Sequence, residues 1–295
     1  MSGGKQKQDA AEQMPGFYLD SFGFKERPFT LVPDPAFLYW SEQHRRAFSV
    51  LEFGILSRAP ITLITGAVGC GKTTLLRQLL KQIESDSLVG LISNAQGGRG
   101  DLIQWVLHAL GVQFNPNEGY VSQFQVLQDF LIETYAQGQR VILIFDEAQN
   151  LSEDSLEELR MLTNINSNKD ELIQLVLVGQ EELREIIKRP DLRQLAQRIA
   201  ASFHLKPLSE KATEEFIVHR LRVAGGSGNE IDEQAKMLIF EVSRGIPRLV
   251  NQVCDMSLLY AWSAESNVVD AKVVQAVIDD GVFFGAEIAT EEAAE

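Results

Sequence analysis

The chain has 295 residues, 45% hydrophobic and 23% charged, which excludes a wholly disordered or fibrous polymer and suits a sizeable core with a second, smaller domain. A formal net charge of −14 opposes duplex DNA on average, so nucleic-acid binding would need a local basic patch. Two cysteines, Cys70 and Cys254, make neither a metal-ligand spacing nor a disulfide framework, and so suit a reducing compartment.

In chain order, residues 1–15 are polar and read as a disordered N-terminus without the apolar centre of a signal peptide. No run approaches the roughly 20 apolar residues that span a bilayer, and the expected location is cytoplasmic. Five short apolar runs then read as strands: ITLIT (61–65), LVGLIS (88–93), VILIF (141–145), LIQLVLV (172–178) and SFHLKPL (202–208). The first four are apolar on both faces, as parallel strands covered by helices must be. Helical patterns alternate with them: TTLLRQLLKQI, DLIQWVLHAL with Asp101 as cap, and EDSLEELRMLTNI with Ser152 as cap. This alternation predicts a parallel α/β sheet with right-handed crossovers. After Pro207 the strand signal stops. Four helices are expected, starting at Ser209, Asp232, Pro247 and Asp270. The expected organisation is an α/β core over 16–208, a helical domain over 209–282 and an acidic tail over 283–295.

The chemistry begins at TGAVGCGKTT, which fits G-x-x-x-x-G-K-[ST] from Gly66 to Thr73. Glycines there let successive backbone N–H groups point at phosphate oxygens, so Gly66, Ala67, Val68, Gly69, Cys70, Gly71, Lys72, Thr73 and Thr74 form the expected triphosphate cradle. Lys72 can reach the β and γ phosphates, and Thr73 can offer its hydroxyl to Mg²⁺. A redox role for Cys70 is conceivable, but a tolerated small residue is the simpler reading. In VILIFDEAQ, Asp146 at a strand end can hold the magnesium, and Glu147 can polarise an attacking water. That pair argues for hydrolysis rather than binding alone. Gln180 comes just after the fourth strand. Its amide would face the γ-phosphate if that strand lies between those carrying the loop and Asp146. Arg193 and Arg198 precede the fifth strand, and Arg248 opens a helix of the second domain. Asn94 is a candidate hydrogen-bond partner for Glu147.

Together these motifs resemble an AAA+ ATPase. FGFKERPFTLVPDPAFLYWSEQHRRA (22–47), GAVGCGKTT, IFDEAQNLS, LVGQEELRE, LAQRI and GIPRLVN narrow the resemblance to the ATPase domain of the general secretion pathway protein A (ExeA) group. The resemblance implies a five-stranded sheet of order 5-1-4-3-2 with a helical lid, and ATP with Mg²⁺ as ligands. It implies that the segment around Phe24, Pro28 and Phe29 lies near the adenine. Gln180 would be sensor 1, Arg248 the sensor 2 arginine, and Arg198 a finger reaching a neighbour's nucleotide, with Arg193 in reserve. A finger in trans implies a homo-oligomer, ring or filament. It further implies a protein partner in secretion or in envelope or exopolysaccharide export, with recruitment to the inner membrane by that partner as an option. The secretion members continue into a membrane span and a peptidoglycan-binding domain, whereas this chain stops after the lid. The alternative is an ATP-dependent DNA-binding regulator resembling the MuB/TniB transposition proteins. Against it stands the sparse clustering of basic residues, densest in KRPDLRQLAQR (188–198).

Overall fold

The computed structural model describes residues 18–32, 35–83, 86–93, 101–167 and 170–282. The expected disordered N-terminus over 1–15, the acidic tail over 283–295 and Asn94 lie outside the described residues.

The described chain forms two compact units, one spanning 42–206 and one joining the N-terminal segment up to Ser41 with the chain from Pro207 onward. The first is built on five strands: β1 (Ile61–Gly66), β2 (Ser87–Ser93), β3 (Arg140–Asp146), β6 (Ile173–Gly179) and β7 (Ile199–Leu205). A separate two-stranded hairpin, β4 (Asn166–Ser167) and β5 (Asp170–Glu171), precedes β6. The sheet order is β2-β3-β6-β1-β7 and every neighbouring pair is parallel. Numbering only its five strands, this is the order 5-1-4-3-2.

β1, β3 and β6 are buried along their whole lengths, as central strands covered on both faces must be. Their odd-numbered residues, Leu63, Leu143, Phe145 and Leu175 among them, join one core with α4 (Asp101–Ala109), α5 (Tyr120–Ala136) and α6 (Glu153–Leu162). α2 (Glu42–Leu56) packs on β1 and β7, and α3 (Lys72–Gln82) turns Leu75, Leu76 and Leu79 inward. The short helices α7 (Glu181–Ile187) and α8 (Arg193–Arg198) come after β6. β7 begins at Ile199, three residues before the expected start, and ends at Leu205.

The second unit contains α9 (Glu210–Val223), α10 (Glu233–Ser243), α11 (Pro247–Ser263) and α12 (Ala271–Asp279). Ser209, Asp232 and Asp270 cap their helices as expected, each accepting a hydrogen bond from the backbone three residues on. The N-terminal segment corrects the expected organisation, in which residues from 16 onward belong to the α/β core. Its short helix α1 (Leu19–Phe22) and the rings of Phe24, Phe29 and Phe37 are buried with Phe216, Leu221, Val250 and Leu258 of the helices. Lys25 N–H donates to the Ala224 carbonyl at 2.7 Å, and Tyr18 and Arg27 both bond Asp255. The apolar rings of this segment find their burial in the helical unit.

Candidate functional site

The parallel sheet gathers its chemistry at one edge. β1, β3 and β6 all end there, with β6 in the middle, so the segments after Gly66, Asp146 and Gly179 converge. Open parallel sheets bind ligands at this carboxyl edge.

Gly66 closes β1. A Cβ there would lie 2.3 Å from the backbone oxygen of Leu205 on the adjacent strand β7. Close approach of two backbones therefore demands the first glycine of the loop. Gly69 and Gly71 take φ of 79° and 96°, which glycine alone adopts freely. Cys70 is buried, and burial pushes its thiol up to about 11, so it is an inert packing residue rather than a redox switch. Lys72 is buried too. Its Nζ donates to the carbonyls of Gly66 at 2.7 Å and Ala67 at 3.0 Å, and burial lowers its pKa.

Thr73 Oγ1 donates to Asp146 Oδ2 at 3.1 Å, across the β3-β6-β1 array. These hard oxygen donors suit Mg²⁺, which takes one or two protein ligands and completes its shell with water and phosphate oxygens. Burial raises the pKa of Asp146, a cost that a bound cation offsets.

Glu147 adopts a left-handed conformation, φ 57° and ψ 39°. Such a residue costs on the order of 1–3 kcal/mol and persists where the surroundings enforce it. Its Oε2 accepts from Gln149 Nε2 at 2.6 Å and from Gln180 Nε2 at 3.0 Å. Burial alone would raise its pKa. The two amides and the Lys72 charge outweigh burial and hold it below the ordinary carboxylate value. Two further residues at this edge, Gln149 and His44, lie inside the quoted motif stretches but have no role legible from the sequence. His44, on α2, bonds the Cys70 carbonyl through Nε2 at 3.0 Å, beneath the loop.

Lys72, Thr73, Asp146, Glu147 and Gln180 are thus together. Arg198 is not with them. Its guanidinium bonds the Thr163 carbonyl and Asn164 Oδ1 and pairs with Glu171. Ile199, the next residue, registers with Ile61 at the start of β1, whereas the phosphate loop leaves from its end. About 16 Å of strand separates those two edges, at about 3.3 Å per residue. Arg193 is exposed, with no hydrogen bond or ion pair among the described residues. Arg248 is exposed on the first turn of α11, in the helical unit. The Phe29 ring, in the segment with Phe24 and Pro28 expected near the adenine, is 1% exposed and lies in the helical-unit core, 6.0 Å from the Arg220 guanidinium. Burial leaves that ring no free face.

Strand order, phosphate loop and acidic strand end define a P-loop protein of the AAA class, and residues 55–187 match the family model described as an AAA domain. The chain is 37% identical to General secretion pathway protein A of Aeromonas hydrophila over 250 residues, which is 85% of this chain and 46% of that protein. It therefore spans less than half the length of that relative. It is 27% identical over 224 residues to the Mu-like prophage FluMu DNA transposition protein B of Haemophilus influenzae, covering 74% of this chain and 70% of that one. Among solved structures, the ORC2 protein of Aeropyrum pernix, described as ADPNP-ADP complexes, superposes with a TM-score of 0.63 at 17% identity, over 87% of this chain and 72% of that one. Drosophila ORC bound to DNA gives 0.66 at 14% identity, over 96% and 70%. At these identities the two structures establish the fold alone. Residues 55–187 are thus similar to AAA domains, and over 85% of its own length the chain resembles general secretion pathway protein A. Among the described residues no helix is long and apolar enough to cross a membrane.

Proposed function

We propose that the chain binds ATP with Mg²⁺ in the 66–74 loop and hydrolyses it at subunit interfaces of a homo-oligomer, to remodel or regulate a protein partner in secretion or in envelope or exopolysaccharide export. The observation that carries this reading is the Thr73–Asp146 contact of 3.1 Å with Glu147 one residue on, a metal site beside a candidate base. Backbone N–H groups of the loop bind the phosphates, and Lys72 exchanges its two carbonyl partners for phosphate oxygens. A cation held by Thr73 and Asp146 supplies charge neutralisation. Glu147 takes a proton from the attacking water, and Gln180 orients the reacting groups. Arg248 of the helical unit contributes a second charge.

Arg198 is the proposed finger, with Arg193 in reserve. Its place at the end of α8, just before β7, lies away from its own loop, which favours action in trans. A trans arginine is worth on the order of 10³- to 10⁵-fold in rate. The site is assigned to the cytoplasm, with inner-membrane recruitment left to the partner. A DNA-binding regulator is the second reading, favoured by the similarity to the transposition protein of Haemophilus influenzae.

The test is ATP binding and turnover in single variants. Lys72→Ala is expected to abolish binding. Glu147→Gln is expected to bind normally, lose about 10²- to 10⁴-fold in turnover and accumulate as an ATP-bound oligomer. Arg198→Ala should bind ATP but turn over slowly, and should regain activity when mixed with Lys72→Ala subunits. Normal hydrolysis by Glu147→Gln would remove the assigned base, and failure of the mixture to regain activity would remove the trans arginine.

A further inference from the structure

The base assigned above does not stand alone on its strand end. Its carboxylate, the Gln149 side chain and Gln180 form a closed ring of hydrogen bonds. Gln149 Nε2 donates to Glu147 Oε2 at 2.6 Å, and Gln149 Oε1 accepts from the Gln180 backbone N–H at 3.0 Å. Gln180 Nε2 closes the ring onto the same Glu147 Oε2 at 3.0 Å. Both amides therefore use one oxygen of the carboxylate. Among the described residues nothing hydrogen-bonds Oε1.

We propose that Gln149 is a positioning residue for hydrolysis: it ties the carboxylate of Glu147 to the backbone of Gln180 and leaves Oε1 as the oxygen that takes the proton from water. The proposal rests on the reading of Glu147 as the base.

The local backbone is arranged for this contact. The left-handed turn at Glu147 leads into a single 3₁₀ turn over Ala148–Asn150, closed by Asn150 N–H to the Glu147 carbonyl at 3.0 Å. That turn brings residue 149 back over residue 147, two positions apart, where an extended chain would point them the same way but about 7 Å apart. Ala148 is buried and anchors the turn in the core. On the opposite strand, a Cβ at Gly179 would lie 3.0 Å from Gln149 Oε1 and 2.6 Å from Leu183 Cδ2. Glycine at the end of β6 thus makes room for the amide. A glutamine is the residue type this place requires. One end must donate to a carboxylate and the other must accept from a backbone N–H, which neither a carboxylate nor an ammonium can do at once. Without the tie, the carboxylate keeps one amide, from Gln180, and can rotate about its own side-chain bonds. Misplacement of a reacting group by about 1 Å costs on the order of 10²-fold.

The experiment compares full-length wild type, Gln149→Met, Glu147→Gln and the double variant by ATP saturation kinetics, single-turnover hydrolysis and equilibrium ATP binding. Met fills the volume of Gln without its hydrogen bonds. Gln149→Met is expected to lower kcat by about 10- to 100-fold while ATP affinity stays within about twofold. On the Glu147→Gln background it should cost nothing further, because the group it positions is already gone. Gln149→Asn keeps a polar amide in the half-buried turn but is one methylene too short to span both partners. It should show the same loss of kcat, and it serves if the methionine variant does not fold. An unchanged or raised kcat, a parallel loss of affinity, or an equal loss on the Glu147→Gln background each overturns the proposal. Full-rate hydrolysis by Glu147→Gln alone would instead overturn the assignment of the base.

Discussion

Glu147 and His44 show how single side chains hold this edge of the sheet. Glu147 turns the chain through a left-handed conformation, and His44 holds the loop from beneath. A Cβ at Gly71 would come within 2.9 Å of the His44 ring, so loop and histidine fit closely. Burial lowers the pKa of His44 from its ordinary 6.5, against the opposing bond to the Cys70 carbonyl. Below about 6.5 the unfolded chain binds a proton that the folded chain refuses, so stability falls as pH drops from there to the folded pKa, then levels. The slope for one proton cannot exceed about 1.4 kcal/mol per pH unit. His44→Gln keeps a donor for the carbonyl and cannot titrate. Urea midpoints at pH 7.5 and 5.5 should therefore fall less for His44→Gln than for wild type. His219, also lowered by burial, is common to both proteins and cancels in the comparison. Equal falls would mean that His44 titrates as it does in the unfolded chain. His44 and Gln149 lie in stretches the sequence singles out, but only Lys72, Thr73, Asp146 and Glu147 have roles legible there. The latter four obey local spacing along one loop or one strand end. The former act only because α2 lies under the loop and β6 lies beside β3.

At the scale of elements, strands buried on both faces are the easiest to read, and β1, β3 and β6 fall where their apolar runs predict. α2 and α5 leave no clear pattern. Phe53 and Leu56 of α2 are 59% and 78% exposed, and Val121 and Ile132 of α5 are 81% and 46% exposed. Such residues blur the apolar stripe that marks an amphipathic helix. β7 starts early for the reverse reason. Its first residues are Ile199, Ala200 and Ala201, of which Ala200 is exposed and Ile199 half-buried, so the run is too short and too small to stand out as an apolar strand. The junction of β1 with its loop is an element-level constraint with a direct test. Gly66→Ala would set a methyl 2.3 Å from the Leu205 carbonyl oxygen, so β1 and β7 must part or the loop must tilt. Overpacking of this kind costs about 1–3 kcal/mol. Gly66→Ala should lower the urea midpoint and weaken ATP binding together. Weaker binding with an unchanged midpoint would mean that the glycine serves the phosphates rather than the strand pair.

Over the whole molecule, charge decides between the two partner readings. The net charge is −14, and duplex attraction must come from a local patch that overcomes it. The densest basic stretch, 188–198, is largely neutralised in place. Lys188 pairs with Glu185, Arg189 with Glu153 and Asp191, and Arg198 with Glu171. Arg193 alone in that stretch lacks a partner among the described residues. One free arginine in that stretch supplies little counterion release by itself. Each phosphate neutralised contributes about −0.9 to the slope of log affinity against log salt. A protein making six such contacts loses on the order of 10³-fold between about 50 and 200 mM salt. ATP turnover measured with and without duplex DNA across that range, with the same samples imaged, separates the readings. The protein-partner reading expects turnover indifferent to DNA even at the lowest salt, and oligomers free of it. Stimulation that fades steeply with salt, together with DNA-coated filaments, would transfer the chain to the transposition type. Arg193→Ala would then be expected to flatten the slope by about one unit for each contact the arginine makes.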